Sequence, residues 1–257
     1  MYINDLISRL RNSCFGCYVF LEFVGSLFFA DDILLLSSSI LHLQAMLNIC
    51  TDYGLEFDIK FNQKKSFLLQ FGLDQDIVLP DLFIDRIALS WVVKIKYLGV
   101  YLVAGKHFCV DVSTNCIKFL GSACSILQKC GAISEERKRH VINHSCLAML
   151  LYGVDSVHLS SEQVQKLSVA YNNSVRKCFG LARNVSVRNV LYFMRNLPVK
   201  QILHMRKVLL IRDCMNNDGV LRVLSMISAN SNDFVDLCYM YDVHCALICQ
   251  LTRLSVI

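Results

Sequence analysis

The sequence predicts an α+β protein in which a strand-rich first part, residues 1–105, precedes a helical second part, residues 106–257. Only 2 Pro and 11 Gly occur in the 257 residues, which favours long regular elements over a turn-rich all-β fold. Hydrophobic residues make up 54% and charged residues 18%, so the chain can bury a core. Near residue 105 the hydrophobic pattern changes from short β-type runs to repeats of 3.6 residues.

The first part is predicted to contain two helices and several short strands. An amphipathic helix is expected over residues 2–11, and a second helix follows a cap at Ser38 or Ser39 and ends at Gly54. The acidic turn Ala30-Asp31-Asp32 separates two of the strands. Strands are predicted over residues 18–24, 26–29, 33–37, 55–59, 66–71, near 77, and over 83–89, 91–93 and 96–102.

The second part is predicted to consist of helices. Ser160 followed by Gln163 forms a capping-box pattern at the start of one of them, and Gly180 ends it. The other helical stretches are expected over residues 117–131, 134–151, 187–196, 198–215, 220–227 and 233–254. Their apolar stripes are interpreted as core-facing surfaces.

Positive charge is concentrated in the middle of the second part. Residues 129–212 contain 14 Lys and Arg against 4 Asp and Glu, a balance of +10. The rest of the chain has 12 against 17, a balance of −5. A segregated basic block suggests a polyanion partner, and the alternative is a set of solvated helix faces.

The apolar residues do not predict a membrane span or a secreted protein. The most apolar stretch, residues 14–36, contains Glu22, Asp31 and Asp32, and carboxylates are costly in lipid. No signal-peptide pattern opens the chain, so the 13 Cys are expected to be free thiols. We therefore expect an intracellular protein of the nucleus or cytoplasm.

Asp31 and Asp32 are the residues that most strongly indicate chemistry. Two adjacent carboxylates in an apolar run repel one another and resist desolvation, and a divalent cation offsets both effects. Mg²⁺ is bound in proteins by a few carboxylate oxygens together with phosphates and water. The alternative is an exposed β-turn, in which Asp is common.

An ordered series of motifs resembles the reverse transcriptases of non-LTR retrotransposons. Phe29-Ala30-Asp31-Asp32 matches their [Tyr/Phe]-x-Asp-Asp signature, and the opening residues 1–6 resemble the end of the preceding motif. The later matches are Asn62-Gln63-Lys64-Lys65-Ser66, Lys96-Tyr97-Leu98-Gly99-Val100, Leu151-Tyr152-Gly153 and the helix end at 171–180. The resemblance covers most of the chain and weakens after Arg212. It implies a partial polymerase palm, an antiparallel sheet with packing helices, followed by a helical thumb-like region.

The resemblance implies roles for the residues of the first part. Asp31 would bind metal with Asp32 beside it, and the intact family uses two Mg²⁺ ions for nucleotidyl transfer. Phe29 would lie beside the primer terminus, or it is an ordinary strand aromatic. Lys65 would approach the incoming deoxynucleoside triphosphate or donate a proton to the leaving pyrophosphate, or it is a solvated turn lysine.

It also implies roles for residues 96–99 of the first part and for basic residues of the second part, with an RNA template and a DNA primer as partners. Lys96, Tyr97 and Gly99 lie in the motif that holds the primer strand, although Gly99 could instead mark a bulge and Lys96 could face solvent. Thumb contacts to the nucleic-acid backbone are expected to be sequence-independent and sensitive to salt. The basic residues expected to make them are Arg137, Lys138, Arg139, Arg176 and Lys177.

One departure from the family pattern concerns catalysis. The polymerase site of the family includes a further Asp from an upstream strand, and only 30 residues precede Asp31. We therefore expect an N-terminally truncated fragment with little or no polymerase activity on its own. The alternatives are a nucleic-acid-binding remnant without catalysis and a helical protein-interaction module in which the acidic turn is incidental.

Overall fold

The chain is described by a computed structural model that covers residues 3–19, 22–72, 79–105, 108–131, 133–157, 159–214 and 216–217. It divides into two compact units, Met1–Val93 and Lys94–Ile257. Both units combine helices with small sheets, which confirms the α+β class. The predicted elements near residue 77 and over residues 220–227 and 233–254 lie outside the described residues.

The first unit has short strands arranged around two helices. Its sheets are the antiparallel pairs β1–β2 and β3–β4 and a three-stranded sheet in the order β5-β7-β6. The elements in chain order are α1 (Ile3–Asn12), β1 (Tyr18–Val19), β2 (Glu22–Phe23), β3 (Ser26–Phe29), β4 (Asp32–Leu35), α2 (Ile40–Phe57), a 3₁₀ turn (Gln63–Lys65), β5 (Phe67–Leu68), β6 (Leu82–Ile84) and β7 (Ile87–Trp91).

Helix α2 organises the core of this unit because it buries residues on two sides. Residues three or four apart lie on one face of a helix, so one face carries Met46, Cys50 and Tyr53. These residues pack against Leu6 and Leu10 of α1. Leu47, elsewhere on α2, belongs to a second buried cluster, whose other members come from strands β5, β6 and β7. These are Leu68, Leu82, Ile84 and Leu89.

The predicted end of α2 at Gly54 is wrong, and so is the predicted strand over residues 55–59. The helix continues to Phe57 and ends at Asp58, which adopts the left-handed conformation with φ 52°. Gly54 is needed for close packing: a Cβ atom at this position would lie 2.6 Å from the carbonyl oxygen of Ile59. The Ile59 N–H also donates to the Gly54 carbonyl at 2.8 Å, so the chain folds back tightly over this glycine.

The strands of the first unit are shorter than predicted. The predicted strand over residues 18–24 is divided into β1 and β2, which pair with each other. The one predicted over residues 66–71 is reduced to β5, which pairs in parallel with β7. The single antiparallel sheet expected of a partial palm is therefore replaced, in the described part of the chain, by separate small sheets.

The second unit combines one three-stranded antiparallel sheet, in the order β10-β9-β8, with helices. Because these strands belong to this unit, the division at Lys94 falls before the change of pattern near residue 105. Its elements are β8 (Lys94–Tyr97), β9 (Val100–Val103), β10 (Cys109–Val110), α3 (Ser113–Lys129), α4 (Glu135–Ser145), α5 (Leu147–Leu150), α6 (Ser161–Cys178), α7 (Arg188–Phe193) and α8 (Val199–Cys214).

The capping box at the start of α6 is confirmed. The Gln163 N–H donates to Ser160 Oγ at 3.2 Å, and the Ser160 N–H donates to Gln163 Oε1 at 2.9 Å. The helix predicted over residues 134–151 is instead divided at Cys146, where the Met149 N–H donates to the Cys146 carbonyl, an i to i+3 bond that tightens the chain locally.

Two expectations from the sequence concern the state of the cysteines and membrane-spanning helices. The cysteines there are free thiols. No helix in these ranges is long and apolar enough to span a bilayer.

Candidate functional site

The acidic turn lies at the tip of a tight β-hairpin, as predicted. Strands β3 and β4 pair antiparallel with Phe29 opposite Asp32, so Ala30 and Asp31 alone form the loop. Ala30 has a positive φ of 51°, which two-residue hairpin loops require because their twist must match that of the strands. Asp31 is therefore held at the apex of a short and rigid turn.

The two faces of this hairpin differ in environment. Alternate side chains of a strand point to opposite faces. On one face Phe28, Ile33 and Leu35 pack against the buried residues of α1 and α2. On the other face Leu27 and Phe29 are 47% and 62% exposed. Phe29 and its cross-strand partner Asp32 therefore present an aromatic ring and a carboxylate side by side to solvent.

Both carboxylates of the turn are exposed and available to a ligand. Neither Asp31 nor Asp32 forms a side-chain hydrogen bond or ion pair within the described ranges. Among those residues no group of three or more His, Cys, Asp or Glu side chains could hold a metal ion. Two oxygen-donating carboxylates nevertheless fit Mg²⁺, which in proteins keeps several waters and takes further oxygens from substrate phosphates.

Lys65 occupies a self-contained polar turn. Its N–H donates to the Asn62 carbonyl at 3.0 Å, and Ser66 Oγ donates to the same oxygen at 3.0 Å. The Lys65 side chain is exposed, and the described residues include no hydrogen bond or ion pair between it and either Asp31 or Asp32. The Ser66 side chain therefore helps to close this turn, whereas Asn62 takes part through its backbone carbonyl.

In the second unit, Gly99 lies in the turn of the β8–β9 hairpin. Leu98 and Gly99 have φ values of 46° and 84°, the pair of positive angles that defines a type I′ turn. Tyr152 covers this turn: its hydroxyl donates to the Leu98 carbonyl at 2.9 Å. A Cβ atom on Gly99 would lie 2.9 Å from Tyr152 Cε1. The segments that contain Gly99 and Tyr152 are therefore in contact. The group that lies close to Gly99 is the ring of Tyr152, which belongs to the same unit.

The solvent-facing side of the β8–β9 hairpin carries lysines around a tyrosine. Lys96 is exposed and pairs across the strands with Tyr101. The ammonium groups of Lys94 and Lys118 lie 4.6 Å and 6.0 Å from the centre of the Tyr101 ring. Tyr101 and Lys118 were not anticipated, because only the register and the position of α3 place them beside Lys96. Tyr97 is half-buried between the strands.

Asp111 neutralises one of these lysines. Its carboxylate accepts from the Lys94 ammonium and from the Ser113 N–H, the latter at 2.8 Å. Partial burial raises the pKa of Asp111, but these hydrogen bonds outweigh burial and bring the pKa from 3.8 down to about 2. Lys96 and Lys118 form no ion pair with any residue that the structure describes, so they are the lysines of this face with uncompensated charge there.

The basic cluster of α4 is divided between solvent and interior. Arg137 is exposed, and its side chain has no hydrogen bond or ion pair with the described residues. Lys138 Nζ donates to the Gly131 carbonyl at 3.3 Å. Arg139 Nη1 donates to Asn196 Oδ1 at 2.7 Å, and its Nε is buried. Arg139 therefore acts in the packing of the helices, and of these three residues Arg137 is the one whose side chain forms no hydrogen bond with the described residues.

The basic pair near the end of α6 is likewise engaged within the unit. Arg176 Nε donates to the Val185 carbonyl at 2.9 Å, and its Nη1 donates to Asn173 Oδ1 at 3.0 Å. Lys177 is exposed, and its ammonium lies 3.0 Å from Cys124 Sγ. Arg176 thus fixes the segment that follows α6, while Lys177 bridges α6 to α3.

Comparison with known proteins adds no assignment at this point. No protein-family model, curated protein sequence or solved structure matches this chain.

Proposed function

We propose that this chain is the palm-and-thumb portion of a reverse transcriptase from a non-LTR retrotransposon. The observation that carries the proposal is the hairpin tip, where Asp31 occupies the apex and Asp32 stands opposite Phe29. The hairpin displays two unpaired carboxylates and an aromatic ring to solvent on a rigid support. That combination suits a site which holds a divalent cation beside a base or a sugar.

Asp31 and Asp32 are the residues that would hold Mg²⁺, and Phe29 would contact the primer terminus. The ion supplies charge neutralisation for a phosphate and activation of a hydroxyl in two-metal nucleotidyl transfer. Asp31 holds its carboxylate at the turn apex without an internal partner, so no protein hydrogen bond must break when a cation binds. Since two carboxylates alone form a weak Mg²⁺ site, we expect nucleotide phosphates to complete it and expect little catalysis by this chain on its own.

The metal site can be tested with Mn²⁺ as a paramagnetic probe of the amide signals of residues 29–32. We expect Mn²⁺ to broaden these signals, more so when a deoxynucleoside triphosphate is present. The double variant Asp31→Asn, Asp32→Asn should lose the broadening. Asp52→Asn is the matched control, because Asp52 is an exposed carboxylate of the same unit on α2. Broadening that persists in the double variant contradicts the proposed site.

Catalysis is tested separately by primer extension on a homopolymer RNA template. Incorporation that disappears in Asp31→Ala supports a polymerase. Absence of extension, combined with nucleic-acid binding that weakens steeply with salt, supports the second candidate, a non-catalytic binding protein. That candidate is favoured by one observation: residues 163–212 contain ten Lys and Arg and no Asp or Glu.

The third candidate, a helical interaction module, is favoured by the engaged cations Lys138, Arg139, Arg176 and Lys177, which join parts of the second unit to one another. If replacing them lowers the unfolding free energy of the unit and leaves nucleic-acid binding unchanged, these four residues are structural. If the unaltered chain also binds no nucleic acid, the binding candidate fails and the interaction module remains.

A further inference from the structure

Two adjacent aromatic side chains of α7 are left almost entirely in solvent. Tyr192 and Phe193 are 86% and 83% exposed, although each carries a large apolar surface. Leu191 of the same helix is buried and anchors it. Leaving so much apolar surface in water lowers stability, and neighbouring exposed aromatics commonly mark a site for a partner.

The segment that carries these rings is held in place. The Arg195 and Asn196 N–H groups donate to the carbonyls of Tyr192 and Leu191 at 3.0 and 2.8 Å, which close the end of α7. Asn196 Oδ1 in turn accepts from Arg139 of α4 at 2.7 Å. The two aromatic rings therefore stand on a braced turn, and binding a partner requires little further ordering of the backbone.

The charge around the rings identifies the class of partner. Arg188 and Arg195 flank the aromatic pair and are exposed. Their guanidinium groups form no hydrogen bond or ion pair with the residues that the structure describes, in contrast to Arg139 and Arg176. The chain between Glu162 and Asp213 contains no carboxylate to compensate them. Lys166, Arg206 and Arg212 are paired with carboxylates from outside the segment, whereas Arg188 and Arg195 are not paired within the described residues. A polyanion supplies the negative charge that these two arginines lack.

We propose that Tyr192 and Phe193, with Arg188 and Arg195, form a platform that binds single-stranded nucleic acid. The rings stack on unpaired bases while the guanidinium groups neutralise the adjacent phosphates. A duplex fits the platform poorly, because its base faces are covered by their neighbours. This inference rests on the proposed nucleic-acid function and adds to it the form of the strand that is bound and the residues that bind it.

The test uses the full chain and a short fluorescent single-stranded oligonucleotide, with binding followed by anisotropy. Tyr192→Ala and Phe193→Ala should each weaken binding about 5- to 100-fold, the range expected for loss of one stacked base. Tyr192→Phe should retain binding because the ring face remains. Tyr192→Leu should lose it, although leucine preserves much of the apolar area. Ile117→Ala is the control, since Ile117 is 72% exposed in the same unit and offers no ring.

The arginines are tested through the salt dependence of the same binding. Arg188→Gln and Arg195→Gln should each reduce the slope of log affinity against log salt by about one for each lost phosphate contact, whereas the aromatic variants should leave the slope unchanged. Lys64→Gln removes an exposed cation of the first unit and serves as the charge control. An unlabelled duplex should compete less well than the single strand.

Two kinds of failure are distinguishable. If the unaltered chain binds single strands but Tyr192→Leu binds equally well, or if the duplex competes equally, the platform is refuted and nucleic-acid binding stands. If the unaltered chain binds no nucleic acid, the proposed function fails with it. Sedimentation of the chain adds a further check: a dimer that Tyr192→Ala dissociates would show that the rings serve self-association, which also overturns the platform.

Discussion

Replacing Gly99 by alanine should destabilise the second unit through two effects that can be separated. Gly99 has φ +84°, a conformation that costs an L-residue about 1 kcal/mol or more. The new Cβ would also lie 2.9 Å from Tyr152 Cε1, closer than two carbon atoms normally approach. The tyrosine ring must then move, which endangers its 2.9 Å hydrogen bond to the Leu98 carbonyl.

The expected magnitude follows from summing these effects. The backbone conformation contributes about 1 kcal/mol and the hydrogen bond contributes roughly 1 kcal/mol, so Gly99→Ala should lower the unfolding free energy by about 2 kcal/mol. In a Tyr152→Ala background the ring is absent, and the same substitution should cost only the backbone part. The two backgrounds should therefore differ by about 1 kcal/mol, which is the coupling between the two residues.

Urea unfolding of the full chain separates the two units. Trp91 is the single tryptophan and lies in the first unit, so its fluorescence serves as the internal control. Far-ultraviolet circular dichroism reports the helices of both units, most of which belong to the second, so the second unit is followed by the part of the dichroism change that does not coincide with the Trp91 signal. Gly180→Ala is the matched variant, because Gly180 also has a positive φ, 62°, and a Cβ there would meet no atom within 4 Å. It should cost about 1 kcal/mol.

Two results would refute the reasoning. An equal loss of stability in Gly99→Ala and Gly180→Ala would show that the tyrosine ring adds nothing. An equal loss with and without Tyr152 would show that the close approach is relieved elsewhere. In either case Gly99 would be explained by its backbone conformation alone.

Three further substitutions test the local arguments. Ala30→Gly should stabilise the first unit by about 1 kcal/mol in Trp91 fluorescence unfolding, because φ 51° suits glycine; a loss of stability would contradict the turn geometry. Asp111→Asn should destabilise the second unit by roughly 2 kcal/mol at neutral pH, since the folded-state pKa is depressed from 3.8 to about 2. The stabilisation by Asp111 is fully present above pH 3.8 and is lost as the pH falls through about 2, so acid titration by circular dichroism should show this step in the parent and not in the variant. Ser160→Ala should cost about 1 kcal/mol by removing the side-chain cap of α6, and Ser160→Thr should retain most of it; equal unfolding midpoints for the two variants would argue against the cap.

Local interactions explain which elements could be predicted. The hairpin around Asp31 follows from two short apolar runs separated by an acidic turn, and the capping box of Ser160 and Gln163 depends on atoms three residues apart. Gly54 shows the limit of such local rules. A glycine late in a helical pattern usually indicates a helix end, but here the return of Ile59 over the helix requires a residue without a side chain.

The roles of the basic residues could not be separated by their order in the chain. Arg137, Lys138 and Arg139 are consecutive, yet one is free in solvent and two bond to other parts of the unit. Successive helical residues are turned by about 100° from each other, so neighbours in sequence face different surroundings. Tyr192 and Phe193 were overlooked for the related reason that an apolar pair in a helix is usually buried.

The amino-acid sequence by itself determined the α+β class, the acidic turn between two strands and the basic character of residues 129–212, because these depend on periodicity, turn formation and charge count. Only the tertiary structure decided that Tyr152 covers the turn at Gly99, that Arg139 and Arg176 are occupied, and that the rings of α7 stand free. Those outcomes depend on contacts between residues distant in the chain, and the burial of a side chain is a property of its neighbours in space.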